Sequence, residues 1–211
     1  MVVAAVVVAA LVAAAIVAVV RSGRDGDRTV QTVEGRKITR EEVDLTVQHF
    51  HEEADREGRP FPPKGTKDYE RVEKIALGLL IDRAAIEGEA AKLGVHVSEA
   101  QVDARVGAAG SAESEEGGGV RVKAEAAFAR GTARTQLVEE GVSQKLTRAV
   151  TVNDAAVRAY YGAHRSLYGS TPFARVAPSI RAQLLAQRRN AVLADWLAKV
   201  RRAEPKPKLE D

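Results

Sequence analysis

The chain has 211 residues, enough for one domain of moderate size or for a domain with an appendage. Lys and Arg total 32 against 29 for Asp and Glu, the signs are interspersed, and aromatic residues make up 4%, so no basic block backed by stacking rings exists and nucleic acid is not an expected partner. There is no cysteine, which excludes disulfides, thiolate chemistry and zinc–cysteine sites.

Val2 to Val20 is an uncharged run of Val, Ala, Leu and Ile. As a helix it would extend about 28 Å, close to the hydrocarbon thickness of a bilayer. Residues 1–20 therefore read as a transmembrane anchor or as a signal peptide. No Lys or Arg precedes the run and it is longer than a usual signal core, which favours the anchor; Ala13-Ala14-Ala15 keeps cleavage open. Arg21, Arg24 and Arg28 follow the span and by themselves favour a cytoplasmic C-terminal side. Residues 21–28 form a polar linker.

Thr29 to Val33, Glu34-Gly35 and Arg36 to Ile38 alternate and turn like a small hairpin. Thr39 with Glu42 forms a capping box, so a helix is expected to start there and to end near Arg56, before the break made by Pro60, Pro62 and Pro63. A second helix is expected over Lys67–Leu93, with Val72, Ile75, Leu79, Ile86, Ala90 and Leu93 on one face and Gly94 as its C-terminal cap. Ser98 and Gln101 make another capping box before a short helix carrying Val102 and Val106. Residues 107–119 are low-complexity and read as a flexible loop.

Two helices are expected next, over Val120–Ala129 and Ala133–Ala149. Asn153 caps a short one through Val157, Tyr160 and Tyr161, and Leu167 to Thr171 reads as a turn. The last helix is expected from Pro178, a residue suited to a first turn, to about Ala203. Ile180, Leu184, Leu185, Val192, Leu193, Trp196, Leu197 and Val200 would give it one continuous apolar stripe that closes a domain begun upstream. Residues 204–211 are a charged tail. The expected fold is all-α, mostly helical, with a small N-terminal β-hairpin.

Several of these pieces, in this order, resemble the N-terminal chaperone domain of the SurA, PrsA and PpiC-type periplasmic foldases. Val33 to Glu42 looks like that family's opening hairpin and first cap, with Glu34 where the family usually has Asn. Leu80-Ile81-Asp82-Arg83, Lys92 to Asp103, Val152 to Tyr161 and Phe173 to Leu185 resemble its later motifs. The resemblance covers residues 29–106 and 120–203. Foldases of this class often carry a parvulin prolyl isomerase between the last two motifs. Here only twelve residues separate Tyr161 from Phe173, so no isomerase domain is expected.

The resemblance implies an extracytoplasmic chaperone domain over residues 29–203, binding unfolded or newly secreted polypeptides through an apolar crevice. Its walls would be the last helix and helix 67–93, with Leu79, Ile86, Tyr160, Tyr161, Leu184 and Trp196 as the candidate client-binding residues. The location it implies outweighs the small charge bias of Arg21, Arg24 and Arg28. The alternative is a membrane-anchored structural or adaptor module docking one dedicated envelope partner. No enzyme activity and no cofactor are expected. His49 and His51 lie two apart and face opposite sides of a helix, which argues against a metal site there.

Overall fold

The computed structural model describes residues 26–108 and 119–208. The apolar run 2–20, most of the linker, most of the low-complexity segment and residues 209–211 lie outside them. Among the described residues no helix is long and apolar enough to cross a membrane.

Strands β1 (Thr29–Val33) and β2 (Arg36–Thr39) pair antiparallel, in a register that slips between Thr29 and Gln31. Both turn residues have positive φ, 49° at Glu34 and 80° at Gly35. That is the left-handed geometry a two-residue hairpin needs. Thr39 then caps α1 (Arg40–Arg56): its hydroxyl accepts from the Glu42 amide, while the Glu42 carboxylate accepts from the Thr39 amide at 2.8 Å.

Helix α2 (Lys67–Lys92) ends in a Schellman motif around Gly94, whose φ is 71°. The Val95 amide donates to Ala90 O at 3.0 Å and the Gly94 amide to Ala91 O at 2.8 Å, closing two of the free carbonyls at the helix end. Helix α3 (Glu99–Ala108) opens with the reciprocal Ser98–Gln101 box. These starts and stops fall where local side-chain chemistry puts them.

The main core is aliphatic. Ile38, Val43, Leu77, Ile81 and Ile86 pack with Val138, Val142 and Val200, all buried. It joins the hairpin, α1, α2 and the long α4 (Val120–Thr147), with α3 laid on α4. Beyond it, α5 (Asp154–Ala163) and the short α6 (Arg165–Tyr168) form a satellite lobe with the start of α7 (Phe173–Ala203). Val157, Tyr161 and Ile180 are its buried residues.

Three expectations need correction. The two helices expected over Val120–Ala129 and Ala133–Ala149 are one; α4 runs unbroken through Gly131. A glycine in a helix interior costs about 0.5–1 kcal/mol relative to Ala, too little to break a helix held by packing on both sides. Helix α7 begins at Phe173 rather than Pro178, so the proline lies inside it. Its missing amide removes one helical bond. The apolar anchors Phe173, Val176 and Ala177, packed in the satellite lobe, hold the first turn in place regardless.

The apolar stripe of α7 is also not continuous. Ile180 and Leu184 pack in the satellite lobe, Leu193, Trp196, Leu197 and Val200 in the main core, and Ala186 to Ala191 between them are exposed. Helix α7 is thus one rod shared by two cores. After it the chain turns back over the hairpin: Gln31 donates from its amide nitrogen to Lys206 O at 3.4 Å and accepts the Lys208 amide at 3.3 Å.

Candidate functional site

A cavity of about 300 Å³ opens between α1, α2, α3 and α4. Helix periodicity builds it. Phe128, Gly131, Thr132 and Thr135 recur at three- and four-residue spacing along one side of α4, while Leu80, Arg83, Ile86 and Glu87 do the same on α2. Leu45, Leu80, Ile86, Val102 and Val138 give it apolar walls. A neighbouring groove of about 490 Å³ shares Arg36, Glu87, Glu99, Arg134 and Val138 with it and extends past Gly88 to Val95 and His96.

Charge lines the opening, and most of it is matched. Arg36 Nη2 lies 2.8 Å from Glu42 Oε1. Arg130 pairs with Glu99 at 2.7 Å and with Asp103. Arg134 meets Glu87 at 3.2 Å and Glu99, and donates to Val97 O at 3.2 Å. The Asp103 and Glu99 carboxylates, acting as acceptors, raise the Arg130 guanidinium above its usual range.

Arg83 is the exception. Its guanidinium carbon sits 4.8 Å from the centre of the Phe128 ring, and Nη2 donates to the Thr132 hydroxyl at 2.9 Å. Among the described residues no carboxylate stands within ion-pair distance of it. Burial, reinforced by the nearby charge of Arg36 and opposed by Asp82, holds this guanidinium below the usual arginine range. A cation over an aromatic face recovers about 0.5–2 kcal/mol of such a desolvation cost. The slot exists because residue 131 is glycine: a Cβ there would collide with Arg83 Nη1. His49 stacks on Phe128 with centroids 3.7 Å apart, and burial keeps its imidazole below the usual value and so neutral.

Of the six residues singled out from the sequence, five are divided between the two cores and Leu79 belongs to neither. Ile86 is buried and forms part of the cavity wall, and Trp196 packs against the main core. Leu79 is half-buried on α2. Tyr160, Tyr161 and Leu184 belong to the satellite lobe. There the Tyr161 hydroxyl donates to Thr171 O at 2.8 Å, and the Tyr160 hydroxyl accepts from Gln183 at 3.0 Å while its ring stacks on His164.

Sequence reading missed Arg83 and Phe128 as cavity residues, and Thr132 as the acceptor that holds Arg83. The only signal was Gly131 itself, an interior glycine in a helix that does not need one. His49 and His51 are directed to different partners, His51 stacking on Phe61 with centroids 4.4 Å apart. Among the described residues no group of three His, Asp or Glu side chains converges as a metal site would require.

A family model described as the SurA-like N-terminal domain matches residues 1–117, more than half of the chain. The match takes in the hairpin, α1, α2 and α3 and stops before α4, so the wall carrying Phe128 and Gly131 lies outside it. Comparison with curated proteins and with solved structures finds no match.

Proposed function

Because the chain belongs to the SurA-like N-terminal domain family, which suggests a chaperone-like role, we propose that it binds unfolded or newly secreted polypeptides reversibly, without prolyl isomerase or other enzyme activity. The observation that carries this reading is the cavity between α1, α2, α3 and α4, with its apolar floor, charged rim and continuation into a second groove. Apolar walls give a client side chain somewhere to leave water. A polar rim leaves the surface soluble when empty. Residues 1–20 would act as an anchor or a cleaved signal, placing the domain on the extracytoplasmic side.

The test is suppression of aggregation of a chemically unfolded model protein by the full chain, followed by light scattering. Suppression at near-stoichiometric ratios is the expected outcome. No suppression by a folded protein, together with one saturable partner in a pull-down, would replace this reading with that of a dedicated adaptor.

A further inference from the structure

The residues that line the cavity hold one more arginine than glutamate, and the carboxylate that evens the count, Asp103, lies outside the lining on Arg130. Four arginines (36, 83, 130 and 134) line it with three glutamates (42, 87 and 99). Each of the glutamates is engaged by an arginine other than Arg83. One guanidinium is left, fixed in place by Phe128, Gly131 and Thr132 and facing apolar walls. Arginine offers five donors in a planar fork, and the Thr132 bond uses one of them. A half-buried cation with spare donors and no carboxylate partner is matched by one monoanion of planar shape, which is a carboxylate.

We propose that this slot recognises the C-terminal carboxylate of a client polypeptide, with the apolar side chain of its last residue against the accessible lining residues Leu45 and Ala127. The proposal rests on the chaperone-like reading above and names the part of the client that is read. A chain end fits better than an internal Asp or Glu for a steric reason. Its carboxylate and an apolar side chain branch from the same Cα, so both reach the guanidinium and the apolar wall together. An internal acidic residue brings the polar backbone on both sides of it instead. The adjoining groove past Glu87 and Gly88 would take the preceding residues.

The test uses the full chain in mild detergent and a short fluorescein-labelled peptide ending in two leucines, made with a free carboxylate or a carboxamide, and reads fluorescence anisotropy. The free acid is expected to bind about tenfold more tightly than the amide, the scale of a charge-assisted hydrogen bond. Arg83→Gln is expected to remove that difference by weakening the acid alone, and Arg83→Lys to keep part of it. Equal affinity of acid and amide for the unaltered chain overturns the proposal without any variant having to fold. An amide peptide with an internal Glu that binds as tightly as the free acid overturns the chain-end assignment. If unfolded protein is held but acid and amide bind alike, only this inference fails. If neither peptide nor unfolded protein is held, the chaperone-like reading fails and takes this inference with it.

Discussion

Gly131 on α4 occupies the one place where a methyl group would displace the Arg83 guanidinium of α2. The obstructed atom is the far end of a flexible side chain, so the guanidinium can swing aside. Gly131→Ala also gains about 0.5–1 kcal/mol of helix preference. The expected result is an unfolding midpoint near that of the unaltered protein, with Arg83 driven out of its slot and the preference for a free carboxylate lost. Gly141→Ala is the contrasting case. Its Cβ would meet Val95 Cγ1 at 2.6 Å, and a short β-branched side chain has nowhere to turn. A loss of about 1–3 kcal/mol is expected there by denaturant titration.

The pH dependence of stability should follow Glu204, the residue after α7. Burial, then the Asp82 carboxylate beside it, push its carboxyl up to about 7, with Arg201 opposing. Arg201 is taken up by Asp82 at 3.0 Å. A carboxyl with a raised folded-state value binds its proton more tightly folded than unfolded. Its stabilising contribution is present in full below the ordinary value of 4.5 and is lost as pH rises through 7. Amide protection at the end of α7 and in the segment to Lys208, taken relative to the intrinsic exchange rate at each pH, should therefore fall between about pH 5 and pH 8. Glu204→Gln should flatten that profile; an unchanged profile would remove Glu204 as its source.

The satellite lobe should open independently of the main core, because few buried side chains hold it. Ile180 is 1% exposed at its centre. Ile180→Ala is expected to cost the lobe about 2–5 kcal/mol. Amide protection should fall over α5 while α2 keeps its own. A uniform loss over both helices would show that the two cores unfold as one.

Pro178→Ala restores an amide to the interior of α7, where it can donate to Ala174 O. Interior proline costs about 3 kcal/mol, part of which it returns by restricting the unfolded chain. A net gain of about 1–2 kcal/mol in the unfolding free energy is expected, checked by thermal and urea melts.

Helix starts and stops were legible in the sequence because their chemistry is local. Thr39 with Glu42, Ser98 with Gln101, Asn153 and Gly94 each act on a backbone group within a few residues. The continuity of α4 through Gly131 and of α7 through Pro178 was not legible, for the opposite reason. A glycine that ends a helix and one that admits a neighbour look alike when the neighbour, Arg83, lies far upstream. The spacing of apolar residues on α7 gave the right face of the helix but not how many cores that face serves. The cavity was illegible because it is the space left between four helices, and no single stretch of sequence encodes a gap.

At about 1.5 Å per residue, α7 is a lever some 46 Å long. Its fulcrum is the end where Trp196, Leu197 and Val200 sit in the main core, and its load is the lobe built on Phe173, Val176 and Ile180. Along the exposed stretch from Ala186 to Ala191 the separation of the two ends is set by the helix, by the Arg188 bond to Thr151 O at 2.6 Å, and by the short segment that joins α4 to α5. Small rotations at the fulcrum therefore become large sideways displacements of the lobe. A client seated near α2 and α4 would be mechanically coupled to the satellite lobe through α7 and the short segment that joins α4 to α5.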